Sequence, residues 1–139
     1  MLQFLFDTDH LTLFEQGHAS LGRHLASQGT TAVGISIVTV EESLRGRLAH
    51  LARARDGPAR IARYGYLRGT IQVFCDLAVV PFDQAAEDQL QQLVGLRLRV
   101  GTRDLKIAAV ALANNLTLLT RNNRDFGQIP GLGLNDWSV

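Results

Sequence analysis

The chain has one cysteine, one lysine and no long apolar run. With Cys75 alone among 139 residues, an internal disulfide and a cysteine-based metal cluster are excluded. Its neighbours Val73 and Phe74 predict a small core residue. No apolar stretch approaches the roughly 18 residues that cross a bilayer. The N-terminus carries no basic leader, so the expectation is a protein without a signal peptide, in the cytoplasm. There is no Gly-x-Gly-x-x-Gly and no P-loop. Gly131-Leu132-Gly133 precedes no helix, which leaves nucleotide-cofactor binding unsupported. His10, His18, His24 and His50 lack metal-ligand spacing and read as surface or helix-packing residues. Repeats, low-complexity tracts and linkers are also missing, so residues 1–139 are expected to form one domain.

What is present fits a folded α/β protein. The composition is 46% hydrophobic and 19% charged, with a net charge of +1, which argues against disorder. The total charge names no partner, but its distribution is uneven. Arg45, Arg47, Arg53, Arg55, Arg60, Arg63 and Arg68 cluster with Asp56 as the only acid among them. Arginine suits bidentate phosphate contacts, and a solvated helix face explains the same run.

Hydrophobic periodicity gives the order of elements. Leu2–Phe6 reads as a short strand, followed by short helices at His10–Gln16 and Ser20–Gln28. Thr31–Ser36 is a second strand. Val40, Leu44, Leu48 and Leu51 predict a helix over Thr39–Arg53, with Glu41 and Glu42 at its start. Asp56-Gly57-Pro58 breaks the chain. Ile61, Tyr64, Leu67, Ile71 and Phe74 then form a second stripe, expected to be core. Leu77–Val80 is a third strand. Asp83 caps the next helix and Thr102 the one after, which is apolar nearly all round from Ile107 to Ala113. Leu116–Thr120 is a fourth strand, and Leu134–Val139 a short fifth. Short strands alternating with helices predict a three-layer α/β/α domain with a mainly parallel sheet of four or five strands.

Ligands of open parallel sheets collect at the carboxyl ends of the strands. Asp7 ends the first strand, Glu42 follows the second, Asp104 lies in the first turn after Thr102, and Asp125 follows the fourth. Each has an ordinary explanation as a cap, dipole partner or surface residue. Together they place carboxylates on one edge, where they repel unless a cation intervenes. An oxygen-only donor set suits Mg²⁺, with Mn²⁺ the alternative. The implied chemistry is metal-assisted hydrolysis of a phosphodiester or phosphoester. Asp9 reads as a first-turn helix residue beside this site.

The blocks Phe6-Asp7-Thr8-Asp9-His10-Leu11, Ser36 to Gly46, Asp104-Leu105-Lys106-Ile107-Ala108-Ala109 and Leu119-Thr120-Arg121-Asn122 with Asp125-Phe126 stand in an order that resembles the PIN-domain ribonucleases, and among them the VapC-type toxins. The resemblance spans the whole chain. It carries the family's acids onto Asp7, Glu42 (four residues before Gly46) and Asp104. Where many members have a fourth acid this chain has Asn122, and Asp125 is the nearest substitute. Thr120 matches a residue that orients metal-bound water in relatives. The resemblance implies a Mg²⁺-dependent endoribonuclease, a homodimer, and a cognate antitoxin that docks near the acidic pocket. The stretch from 40 to 75 would then serve RNA, antitoxin and dimer partner, with Arg45, Arg53 and Arg60 as candidate RNA contacts. Tyr64 and Tyr66 among arginines keep a docking role open beside the core expectation for that stripe.

Other classes fit less well. A haloacid-dehalogenase-like phosphatase would use Asp7 as nucleophile, but Lys106, the only lysine, lies beside Asp104 rather than ahead of an acidic pair. A receiver domain needs an acid at the end of the third strand, where Pro81 stands. A non-catalytic RNA- or protein-binding module of the same fold is favoured by Asn122 and opposed by the three acids.

Overall fold

In the computed structural model, which describes residues 1–139, five short strands form one wholly parallel sheet. They are β1 (Phe4–Phe6), β2 (Val33–Ser36), β3 (Ala78–Val80), β4 (Thr117–Leu119) and β5 (Leu134–Asn135), in the order β3-β2-β1-β4-β5. Phe4, Leu5 and Phe6 pair with Val33, Gly34 and Ile35 on one side and with Thr117, Leu118 and Leu119 on the other. Gly34 allows the sheet and N-terminus to close: a Cβ there would lie 2.9 Å from the Ala78 carbonyl oxygen and 3.2 Å from Leu2 Cδ1.

Seven helices connect the strands: α1 (Thr8–Glu15), α2 (Ala19–Gln28), α3 (Ile37–Ala52), α4 (Gly57–Asp76), α5 (Gln84–Gly95), α6 (Thr102–Ala113) and α7 (Asn123–Phe126). A one-turn 3-10 helix, Thr30–Ala32, leads into β2, so that strand is shorter than its sequence suggests. Side chains alternate between the two faces of the sheet. Leu5 and Leu118 enter one core with Ile107 to Ala111 of α6 and Ala86, Leu90 and Leu93 of α5. Phe6, Leu119, Val33 and Ile35 enter the other with Leu11, Leu21, Leu25 and Trp137. This period of two on strands covered on both faces gives the expected three layers.

Local signals set several helix starts. Asp7, Ser36, Asp56 and Asp83 accept backbone N–H groups of His10, Thr39, Ala59 and Ala86, respectively. Thr102 does not cap α6. Gly101 holds that position without a side-chain bond, and Thr102 is the first helical residue. Helix α3 also begins two residues before the predicted Thr39, because Ser36 caps it directly from the end of β2. Glu41 and Glu42 thus fall in its second turn.

The largest departure lies on α4. Ile61, Tyr64 and Ile71 are 76%, 57% and 48% exposed, so three members of the stripe expected to be core face outward, while Leu67 and Phe74 are half-buried and Phe74 packs against the core. Cys75 on the same helix is exposed as well. Helix α4 packs mainly against α3, itself an outer helix with an exposed Leu48. No helix is long and apolar enough to cross a membrane.

Candidate active site

The chain runs outward from β1 through β2 to β3, then returns to place β4 on the other side of β1. The direction of winding therefore reverses between β1 and β4, the position where open α/β sheets hold ligands beyond the strand ends. Asp7 sits there. Its backbone N–H donates to the Leu119 carbonyl at 3.0 Å, its Oδ1 accepts the His10 N–H at 2.7 Å, and the residue is only 5% exposed.

The segment after β4 is built around the same edge. Thr120 is fully buried, and its Oγ1 accepts the Asn122 N–H at 2.9 Å. Asn122 in turn clasps Asp125: its Oδ1 accepts the Asp125 N–H, and its Nδ2 donates to Asp125 Oδ2 at 3.0 Å. Asn122 caps α7 and Asp125 lies in the first turn, so both belong to one small unit.

Asp104 enters from the first turn of α6. Burial pushes its carboxyl group above the ordinary carboxylate range, and the charges of Asp125 and Asp7 push the same way while Arg103 opposes them. Asp7, Asp104 and Asp125, from three separated stretches, thus share one electrostatic environment. None has a Lys or Arg nitrogen within 4.0 Å.

The remaining acids are engaged. Glu42 accepts a hydrogen bond from Thr8 Oγ1 at 3.1 Å on one oxygen and pairs with Arg103 Nε through the other. Asp9 is held bidentately by Arg121 at 2.7 and 2.8 Å, which keeps its carboxyl group below the usual range despite partial burial. Asp7, Asp9 and His10 are the one set of three or more ligand-type residues whose ligand atoms all lie within 4.8 Å of one another. Glu42, Asp104 and Asp125 do not close to that distance around Asp7.

Sequence reasoning read His10 as a surface or helix-packing residue close enough to Asp7 to matter, and the structure places it in the core. It is wholly buried. Its Nε2 accepts the Trp137 N–H at 3.1 Å across 127 residues, and its Nδ1 is the only sealed side-chain nitrogen or oxygen without a hydrogen-bond partner. Leaving such a donor unmet costs about 1–3 kcal/mol. The sequence signal was position alone, three residues after Asp7.

A cleft of about 480 Å³ adjoins Glu42 and is lined by Arg45, Arg103 and Lys106 among others. Arg45 is exposed and pairs with Glu41 at 2.6 Å. Arg53 bonds the carbonyl of Ala49 on its own helix, and Arg60 is exposed with no acid partner. Arg47 and Arg63 are consumed by the fold: one reaches Thr70 and Glu15, the other the His50 carbonyl.

The model of the PIN domain matches residues 10–132.

The chain belongs to the PIN-domain family.

Glu42, Asp104, Thr120, Asn122 and Asp125 of this PIN domain fall inside the matched segment, and Asp7 lies three residues before it. The tRNA(fMet)-specific endonuclease VapC of Salmonella typhimurium is 28% identical over 141 residues, covering 99% of both chains. Among solved structures, the DNA-bound VapBC of Salmonella typhimurium superposes with a TM-score of 0.77 at 26% identity, covering 99% of each chain. VapBC-1 of nontypeable Haemophilus influenzae gives 0.79 at 18% identity, covering 99% of this chain and all of the other, a likeness of fold.

Proposed function

We propose that this PIN domain is a metal-dependent endoribonuclease, the toxin of a toxin–antitoxin pair, hydrolysing RNA phosphodiester bonds. The observation that carries the reading is the convergence of Asp7, Asp104 and Asp125 at the reversal point of the sheet with no Lys or Arg nitrogen within 4.0 Å of any of them. A carboxyl group whose proton affinity is raised by burial and by neighbouring carboxylates, as that of Asp104 is, suits a hard divalent cation, Mg²⁺ or Mn²⁺. Asp7 and Asp104 would hold it, with Asp125 oriented by Asn122 beside them. Glu42 joins once Arg103 gives way. A bound cation there supplies an activated water and neutralises charge on the phosphodiester. Thr120, buried beside Asn122, fixes the loop that presents Asp125. In the adjoining cleft Arg45 and Arg103 are paired with Glu41 and Glu42, and Lys106 is the cation left for a phosphate backbone.

The antitoxin reading rests on helix α4, whose apolar Ile61, Tyr64 and Ile71 stand exposed among Arg60 and Arg68. Such a face suits an amphipathic segment carrying acids. The VapBC relatives, named as complexes, support the same partnership. The homodimer expected from the family is checked by light scattering on the isolated chain.

The deciding experiment incubates a mixed tRNA and single-stranded RNA pool with folded, antitoxin-free protein, in Mg²⁺, in EDTA, and with Asp7→Asn in Mg²⁺. Discrete fragments that require both the ion and Asp7 are expected. Intact RNA in all three arms, with retained RNA binding, would establish a binding module instead, the reading that Asn122 favours.

A further inference from the structure

We infer that His10 is a positioning residue for Asp7: a neutral imidazole protonated on Nδ1, its tautomer imposed by the C-terminal segment, that holds Asp7 Oδ1 and leaves Oδ2 for the cation. The inference deepens the metal-nuclease reading and rests on it.

The tautomer follows from the partners. The Trp137 N–H is a backbone group and can only donate, and it lies 3.1 Å from Nε2. Nε2 must therefore present its lone pair, so in the neutral ring the proton resides on Nδ1. Asp136 Oδ1 lies 3.5 Å from Nε2, but it already accepts both the N–H and the hydroxyl of Ser138. A ring protonated on Nδ1 is not a metal ligand through that atom, which removes His10 from the donor set suggested by its closeness to Asp7 and Asp9.

The direction of that proton gives the role. Nδ1 lies 3.5 Å from Asp7 Oδ1 and 4.0 Å from Asp9 Oδ2. The Asp9 oxygens are taken by Arg121. At 3.5 Å the contact with Asp7 is a long approach and not a hydrogen bond. Contacts of this kind, long or poorly aligned in the unloaded site, tighten when a site is loaded. Asp7 Oδ1 already receives the His10 backbone N–H, so the ring faces the same oxygen that the backbone of its own residue holds. Oδ2 has no partner, and because Nδ1 is the only sealed orphan atom, Oδ2 retains access to solvent. The carboxylate is thereby split into a held oxygen and a free one.

The support behind the imidazole is rigid. Trp137 is 1% exposed and packs edge-on against Phe6 and tilted against Phe4, both on β1. The strand that carries Asp7 and the segment that orients His10 are thus parts of one aromatic cluster.

Two substitutions separate the halves of the ring. His10→Asn keeps an amide donor near the Nδ1 position and loses the acceptor for Trp137. His10→Gln keeps an acceptor near Nε2 and loses the donor toward Asp7. Long-range proton–nitrogen NMR of the metal-free parent is expected to show a protonated Nδ1 and an unprotonated Nε2. Titration with Mn²⁺ followed by calorimetry is expected to give near-parental affinity for His10→Asn and an affinity roughly 10–100-fold weaker for His10→Gln, the usual effect of losing an outer partner of a metal ligand. Thermal midpoints should rank the other way, with His10→Asn the lower. An Nε2-protonated ring, or equal Mn²⁺ affinities for the two variants, would overturn the inference. A parent that binds no Mn²⁺ and cuts no RNA would overturn the nuclease reading along with it, whereas a binding, cutting parent matched by His10→Gln would overturn the role of His10 alone.

Discussion

The carboxylate edge and the α3–α4 arm are opposites in how they treat uncomfortable residues. At the edge, charged groups that prefer water are partly withdrawn from it: Asp7 is nearly sealed and Asp104 is pushed toward protonation by burial and by Asp125 and Asp7. On the arm, apolar groups that prefer a core are left in water: Ile61, Tyr64 and Ile71 on α4, with Leu48 on α3. Each region holds residues in the environment that stabilises them least, and in the function proposed above each would be relieved by something that binds, the edge by a cation and the arm by an apolar surface. Regions that oppose local preference in this way are where function is concentrated.

The sharpest way to test the edge is Asp104→Asn. Cleavage in Mg²⁺ should fall roughly a hundredfold or more, while the metal-free protein should become more heat-stable. The sign follows from linkage. The Asp104 carboxyl in the folded chain holds its proton above the ordinary value of 3.8. Its contribution to stability therefore declines as pH rises from that value through the raised one, and stays diminished above it. Asn removes the effect. Thermal midpoints in EDTA across acid to neutral pH should converge at the acid end and separate in favour of the variant above it. A variant less stable than the parent at neutral pH would mean that Asp104 is there for the fold.

For the arm, Ile61→Asp combined with Tyr64→Ala should weaken a co-purified antitoxin by at least tenfold, since exposed aromatic and aliphatic anchors carry much of a partner's binding energy. The isolated chain should keep its stability to within about 0.5 kcal/mol, the range for surface positions. Loss of fold would return the stripe to the core and erase the contrast.

A smaller effect is expected of Arg53→Ala with Arg60→Ala. If these arginines meet phosphates, the slope of RNA affinity against salt should fall by roughly 0.7 for each phosphate of a single strand that is no longer neutralised. An unchanged slope would mark them as a solvated face, and the arm as an antitoxin surface only.

Much of this was legible in the chain itself. The alternation of apolar strands with helices predicted the parallel sheet and its three layers, because burial on both faces leaves short, continuous apolar strands. Asp7, Asp104 and Asp125 could be assigned to one edge because strand ends and first helical turns are local features. The α4 stripe was misread for a physical reason. A helical period reports that apolar residues share a face, and says nothing of whether another element covers it. Cys75 was read as core from its apolar neighbours Val73 and Phe74, which are half-buried, but it lies on the exposed side of the helix. Thr102 was assigned a cap that the backbone gave to Gly101, one residue earlier.

By itself the sequence determined the element order and the strand ends and first helical turns that carry the acids. Those depend on side-chain chemistry and on neighbours within a few residues. Only the tertiary structure decided which acids stand without a cation and which are paired. Arg121 reaches Asp9 across 112 residues, Arg103 crosses from α6 to Glu42 on α3, and Trp137 closes over His10 from the far end of the chain. Such pairings are fixed by strand order and packing, which bring together groups that no spacing along the chain connects.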